Sequence, residues 1–489
     1  MTLQKLSPSI ASPARDAGRP LVVDLDGTLF KVDSGWESLL HCLTTTPAFL
    51  LSLMKAFIRG RHHLKAVLAT HSQIDLRKIP VSKEVLQFIE NQKRTGRKLI
   101  FATGANERFA NEILRMYPIF DEGISSNSQV NLVGSSKGAY LEKRFGKRGF
   151  DYLGDAWADL NVWSRCSTAY YTNTDFLTRV ALRLLHPHSV EIGKRSYQTS
   201  ASAFVKAIRV HQWAKNSLII FPFMLAHRPL EAQSLALLLL GWLSFSLTAS
   251  AVYLINDLSD IEHDRQHPVK CKRPIVAGDV SVSHALFLAL LTGMAGAFIA
   301  WHLSTAFAFT VACYFVLAVA YSFYLKRVVV LDVMVLASFY TLRIVAGGVL
   351  ADVELSHWFV VFSVFFFLSL ALAKRCAEIL NLKEEPSGLV KGRAYRPSEY
   401  QQLSQFGTTS GFMALLVYCL YIANPDVSSL YSKPSWLWFG FPILLFWICR
   451  VWLLTSKGLM HEDPVVFAFK DPHSYLAGIL LVAVIYVAI

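Results

Sequence analysis

Asp257, Asp260 and Asp264 stand at steps of three and four residues, just past the hydrophobic run AVYLI at 251–255. On a helix those steps put three carboxylates on one face. Such carboxylates repel one another unless a cation sits between them. Hard oxygen ligands suit Mg²⁺, which keeps several waters and bridges to substrate phosphates. Asn256 precedes the group, and Arg265, Lys270, Lys272 and Arg273 follow it, donors suited to phosphate oxygens. Acids at the end of a membrane-length run are costly to place and mark function. The stretch therefore predicts a site for a diphosphate held through Mg²⁺.

A second set of acids lies far upstream. LVVDLDGTLF (21–30) reads as a buried strand ending in Asp24, with Asp26 two residues on and a tight turn at Gly27 and Thr28. KLIFATG (98–104) ends in Thr103, and GFDYLGDAWAD (149–159) delivers Asp155 and then Asp159. Strands alternating with helices predict a parallel sheet, and such sheets bind ligands at the carboxyl ends of their strands. A third set sits in YSFYLKRVVVLD (321–332), with Tyr321, Ser322, Lys326, Arg327 and Asp332, followed by Arg343 three helical turns later. Asp332 and Arg343 fall within an apolar helix, where charges need partners or a ligand.

The elements that must position these residues are of two kinds. The 489 residues are 53% hydrophobic and 17% charged, a membrane protein's composition diluted by a soluble part. Nine runs of near-spanning length are expected, at about 216–233, 236–256, 282–301, 305–324, 329–350, 357–375, 406–423, 435–455 and 473–489. Pro222 and Pro229 interrupt the first. The net charge of +13 does not call for nucleic acid. The Lys and Arg residues collect beside the spans: Lys270, Lys272, Arg273, Lys326, Arg327, Lys374, Arg375, Lys383, Lys391, Arg393 and Arg396. That asymmetry predicts a multi-pass protein of an inner, cytoplasmic membrane with the N-terminal domain in the cytoplasm. The seven cysteines are scattered, without metal spacing, and read as reduced packing residues. No signal peptide is evident at the N-terminus. The expected division is a leader at 1–19, an α/β Rossmann-like domain at 20–165, a linker at 166–200 and an all-α membrane bundle at 201–489.

The stretch 20–165 resembles the haloacid dehalogenase (HAD) superfamily of phosphohydrolases, through DLDGT at 24–28, Thr103 after a hydrophobic strand, a following lysine and GDxxxD at 154–159. The resemblance implies that Asp24 is the nucleophile and Asp26 the general acid/base. It further implies that Thr103 and a lysine hold the phosphoryl group, and that Asp155 completes a Mg²⁺ site with Asp24 and Asp26. Lys137 is preferred for the lysine, with Lys143 and Lys147 as competitors. Residues 35–75, with Trp36, Leu39, Leu40, Phe49, Leu50, Leu51, Leu53, Met54, Phe57 and then Arg59, Arg61, His62, His63 and Lys65, would form a small helical cap.

The stretch 201–489 resembles the UbiA superfamily of intramembrane prenyltransferases, through NDxxDxxxD at 256–264 and YSxxLK…D at 321–332. The resemblance implies nine helices around a cavity, with polar clusters binding a diphosphate through Mg²⁺. The usual second DxxxD is missing, because the step of four from Asp332 lands on Leu336. With HQWAKN at 211–216, this looks more like the decaprenyl-phosphate phosphoribosyltransferase branch. Lys326, Arg327 and Arg343 then suit a lipid monophosphate or a sugar phosphate, with Asn256, Arg265, Lys272, Arg273, Tyr321 and Asp332 also binding substrate.

The expected function is transfer of 5-phosphoribose from phosphoribosyl diphosphate to polyprenyl phosphate within the lipid bilayer, then removal of the 5-phosphate by the HAD-like domain. The first alternative is transfer of a prenyl group from prenyl diphosphate to an aromatic or other small acceptor, with a HAD domain of separate role. The second is a non-enzymatic membrane protein whose soluble domain senses a phosphometabolite.

Overall fold

The computed structural model describes residues 18–45, 75–126, 132–193, 197–226, 231–267, 269–381, 395–425, 431–460, 464–468 and 470–489. The expected cap residues from Phe49 to Lys65, the basic residues Lys383, Lys391 and Arg393, and Pro229 lie outside them. The chain divides into two compact units. One comprises Met1–Ala207 with Asp264–Ala285, the other Ile208–His263 with Leu286–Ile489.

The first unit is built on six strands in the order β3-β2-β1-β4-β5-β6: β1 (Leu21–Val23), β2 (Leu99–Asn106), β3 (Glu122–Ser126), β4 (Asp151–Gly154), β5 (Ala169–Tyr171) and β6 (Val190–Glu191). Every pairing is parallel. The central strands are apolar on both faces, as a sheet covered on both sides requires. Leu21, Val23, Leu99 and Phe101 pack to one side, with Val85, Ile89, Ala110 and Ile113 of the helices α2 (Lys83–Arg94) and α3 (Glu107–Met116). Val22, Ile100 and Tyr152 pack to the other, with Leu141 of α4 (Ser135–Phe145) and Leu182 of α5 (Phe176–Leu185). The helix α1 (Ser34–Thr45) follows β1. Side-chain oxygens of Ser82, Asn106 and Asp175 accept backbone N–H groups at the starts of α2, α3 and α5 and fix where each begins.

Val23 lies level with Phe101 and with Leu153, so Asp24, Thr103 and Asp155 follow within two residues of one level across β1, β2 and β4. The order reverses at β1, which is where an open parallel sheet leaves its ligand crevice. The buried pair Arg97–Asp151 closes the opposite, amino-terminal end. The expected linker is a correction. Residues 166–200 carry β5, α5 and β6, which extend the sheet beyond 165. Two strands of three and two residues are too short to show a period in sequence.

In the second unit the long apolar helices are α6 (Ala232–Ser259), α8 (Val282–Leu303), α9 (Thr305–Phe323), α10 (Leu331–Ala351), α11 (His357–Asn381), α12 (Tyr400–Ala423) and α13 (Gly440–Ser456). The short α7 (Ile261–Arg265) follows α6, and the start of α8 counts with the first unit. Among the described residues, seven helices are long and apolar enough to cross a membrane. The nine expected spans differ from this at both ends. Residues 210–220 form a 3₁₀ helix, and Pro222 stands at the start of the short helix Phe221–Leu225. The last, α14 (Pro472–Ala488), has 17 residues. Small residues let the helices approach closely, as in membrane bundles. A Cβ on Gly347 of α10 would stand 2.1 Å from the Ile219 carbonyl.

Candidate active sites

In the first unit the ends of β1 and β4 bring Asp24, Asp155 and Asp159 together, with one oxygen of each within 4.8 Å of the others. Backbone geometry sets this up. Gly27 has φ +78°, and a Cβ there would lie 2.1 Å from an Asp155 oxygen, so the turn after Asp26 admits only glycine. The Thr28 hydroxyl donates to Asp155 Oδ1 at 3.1 Å. Asp159 Oδ2 accepts the N–H groups of Asp155 and Ala156, both at 3.1 Å.

Lys137 enters from the first turns of α4. Its Nζ lies 2.8 Å from Asp24 Oδ1 and donates to the Tyr152 hydroxyl at 3.1 Å. Tyr152 in turn donates to Asp159 Oδ1 at 2.7 Å. Lys143 and Lys147 are exposed. Thr103 is buried, and its hydroxyl accepts the Ala105 N–H at 3.0 Å. The Ser34 N–H, at the start of α1, donates to Asp26 Oδ1 at 2.9 Å. A third acid joins two of the expected metal ligands here. Asp26 Oδ1 is held by Ser34, and Asp159, the last acid of GDxxxD, stands close enough to Asp24 and Asp155 to share a cation with them.

Charge follows burial here. Burial pushes the Asp24 carboxyl up to about 7, against the opposing pull of Lys137. Burial pushes Asp26 up to about 6, and raises Asp155 well above the carboxylate range, with Asp159 and Asp24 adding to it. Burial alone would lower Lys137, yet Asp24 and Asp159 outweigh it and its pKa is raised. Burial, with Asp159 and Asp24 beside it, holds Tyr152 well above the usual phenol range, so the hydroxyl keeps its proton and orients both neighbours. An all-oxygen donor set whose negative charge is this poorly compensated fits a hard divalent cation such as Mg²⁺. Asp24, Asp26, Lys137 and Asp155 line one side of a cavity of about 800 Å³.

The acids of the second constellation do not share one helical face. α6 ends at Ser259, Asp260 caps it with φ −103° and ψ 7°, and α7 starts at Ile261. Asp257 and Asp260 count with the second unit, Asp264 with the first. Each takes basic partners. Arg209 pairs with Asp257, Lys326 Nζ lies 2.6 and 2.8 Å from the Asp260 oxygens, and Arg273 pairs with Asp264, with Lys270 3.7 Å away. The Asn256 carbonyl accepts the Asp260 N–H at 3.0 Å. Lys272 is exposed. Arg265 is a further correction. Expected at a phosphate, its guanidinium grips both oxygens of Glu37 at 3.1 and 2.7 Å.

Lys326, Arg327 and Arg343 have different surroundings rather than one anion site. Arg327 is exposed, whereas Lys326 and Arg343 are buried. Arg343 donates to Asn216 Oδ1 at 2.7 Å and to the Phe339 carbonyl at 2.6 Å. The rings of Phe245, Tyr314 and Tyr340 lie 5.3, 5.2 and 5.5 Å from it. That arrangement disperses a cation over aromatic faces. Asp332 takes a bidentate Arg375, at 2.5 and 2.9 Å, and the Tyr321 hydroxyl at 2.6 Å. Asp332 and Arg375 are 0% and 1% exposed, so this is a fully buried pair. Arg375 had shown itself only as one of the basic residues beside the spans. Its one further signal is a position among apolar residues (LALAKRCAEIL) rather than past their end.

The chain is similar to several known proteins. An uncharacterized protein, y4nM, of Sinorhizobium fredii is 34% identical over 97% of this chain and 92% of its own length. The decaprenyl-phosphate phosphoribosyltransferase of Mycolicibacterium smegmatis is 40% identical over 55% of this chain and 87% of its own. A HAD family hydrolase of Salmonella enterica serovar Typhi aligns in structure with 37% of this chain and 70% of its own, at 14% identity and a TM-score of 0.27. The UbiA prenyltransferase family profile matches residues 217–469, and the chain is an integral membrane protein that belongs to that family.

Proposed function

We propose that the chain is a two-step enzyme, transferring 5-phosphoribose from phosphoribosyl diphosphate to a polyprenyl phosphate and then hydrolysing the 5-phosphate. The observation that carries the first step is the 40% identity to a protein named for that transfer. Asp257 and Asp260 would hold the diphosphate's Mg²⁺. Arg209 and Lys326, their present partners, are then available to phosphate oxygens. Diphosphate leaves as the lipid phosphate oxygen takes the anomeric carbon. Asp332 is taken up by Arg375, and among the described residues no group of three acids forms around it as a second cluster for a prenyl diphosphate, which favours a sugar donor.

The second step rests on the Asp24–Lys137 arrangement. An Asp24 oxygen attacks phosphorus, and the sugar oxygen leaves with the proton that Asp26 carries. Water then splits the aspartyl phosphate, returning a proton to Asp26. A carboxyl pushed up to about 6 is suited to hold and release a proton near neutrality. Lys137 compensates charge on the transferring group. Mg²⁺, held by Asp24, Asp155 and Asp159, would neutralise phosphoryl oxygens there. Positive residues beside the spans, such as Lys326 and Arg327, support a cytoplasmic N-terminus.

The test is to incubate membranes containing the protein with polyprenyl phosphate and labelled phosphoribosyl diphosphate. Label should enter the lipid fraction. Its absence there, with prenyl diphosphate consumed instead beside a phenolic acceptor, would select prenyl transfer.

A further inference from the structure

Residues 264–285 fall within the family match at 217–469, yet they count with the first unit. They are built into it. Ile275, Val276, Val280, Val282 and Ala285 are buried. Gly278, at φ +79°, passes so close to Lys31 that a Cβ would stand 2.9 Å from that side chain's own Cβ. Arg265 is fastened to Glu37 through two hydrogen bonds. Residues 278–284 then form a wall of the cavity that holds Asp24, Lys137 and Asp155.

A volume of about 800 Å³ far exceeds what a phosphoryl group fills. The groups on this wall are those that bind hydroxyls. Ser281 Oγ lies 2.6 Å from His284 Nδ1 and 3.1 Å from Ser283 Oγ, which fixes the imidazole through one nitrogen. The ring meets the Phe204 ring edge-on, with centroids 6.0 Å apart. Asp279, Ser281, Ser283 and His284 all line the cavity, with Phe204 supplying an apolar surface.

We propose that Gly278–His284 is the substrate-recognising wall of the phosphatase cavity, and that His284, oriented by Ser281, contacts the sugar hydroxyls of a phosphorylated sugar. This rests on the phosphatase reading of Asp24 and Lys137. Specificity for the sugar is thereby carried by a segment of the family-matched sequence, and the phosphatase is incomplete without it.

The experiment uses the full-length protein in lipid nanodiscs, comparing hydrolysis of ribose 5-phosphate and p-nitrophenyl phosphate. Wild type should prefer ribose 5-phosphate. His284→Ala should lower kcat/KM for ribose 5-phosphate about tenfold relative to p-nitrophenyl phosphate, mostly through KM, as expected for one lost hydrogen bond. His284→Gln should recover part of the loss. Should His284→Ala fail to fold, Ser281→Ala, which frees the ring without removing it, should shift the same ratio in the same direction. An unchanged ratio, or a wild type with no preference for the sugar, overturns the proposal. Hydrolysis of both substrates by Asp24→Asn at the wild-type rate is a separate result and would overturn the phosphatase reading itself.

Discussion

Lys137 touches Asp24 at 2.8 Å and restrains the rise that burial imposes on its carboxyl, which stands at about 7. At neutral pH that contact governs how much of Asp24 is ionised. Lys137→Ala should therefore move the acidic limb of the pH–rate profile to higher pH, and lower kcat/KM by about 10²- to 10³-fold as a charge-stabilising donor is lost. Tyr152→Phe keeps the ring and removes the hydroxyl that ties Lys137 to Asp159. It should shift the same limb more weakly and leave the fold intact. The acids also set a stability trend. Asp24, Asp26 and Asp155 have folded pKa values above the ordinary 3.8, so the folded state holds protons that the unfolded chain has released. Without a cation, the contribution of Asp24 and Asp26 is fully present below about 4 and is lost as pH rises through about 6 to about 7, with Asp155 acting in the same direction. Mg²⁺ competes with those protons. Its thermal stabilisation of the protein should grow from about pH 5 to about pH 7.5. A stabilisation independent of pH would mean that the cation does not sit on these carboxylates.

At the scale of elements, the strands that carry Asp24, Thr103 and Asp155 were legible because each is an apolar run ending in a polar group: LVV before Asp24, LIFA before Thr103, YLG before Asp155. Their register, with Val23 level with Phe101 and Leu153, follows from pairing and brings those ends together. What stayed hidden depends on contacts between distant residues. Arg265 reads locally as a phosphate donor, and its partner Glu37 lies 228 positions away. Asp332 and Arg375 are 43 apart. Asp257, Asp260 and Asp264 have helical spacing, but the helix breaks at Asp260, which no period reveals. The Glu37–Arg265 pair offers a direct measurement. With side chains 2% and 7% exposed, removing one partner leaves a buried charge uncompensated. Arg265→Ala should cost about 3–5 kcal/mol, read by denaturant unfolding of the first unit, while Glu37→Leu with Arg265→Met should restore much of it. Equal loss in the single and double variants would mean that the pair is not what fastens residues 264–285.

At the scale of the whole chain, the y4nM relative, aligned over 97% of this sequence, extends across both units, so the pairing of a UbiA-family unit with a second unit is not peculiar to this chain. If the two units catalyse successive steps, variants should separate them. Asp24→Asn should leave a ribosyl lipid that still carries its phosphate, and Asp257→Ala should yield no ribosyl lipid, both read by mass analysis of the lipids. Tethering adds a kinetic consequence, because a product released by one unit meets a unit on the same chain at an effective concentration of about millimolar. Wild-type protein at low density in vesicles should form dephosphorylated lipid with little lag. Asp24→Asn and Asp257→Ala mixed in the same vesicles should form it after a lag that shortens as protein density rises. The same two variants in separate vesicles should leave the phosphorylated lipid, since a polyprenyl product does not leave its bilayer. A mixture that matches wild type at every density would show that the phosphatase draws on the whole membrane pool and that fusion contributes nothing to the transfer between sites.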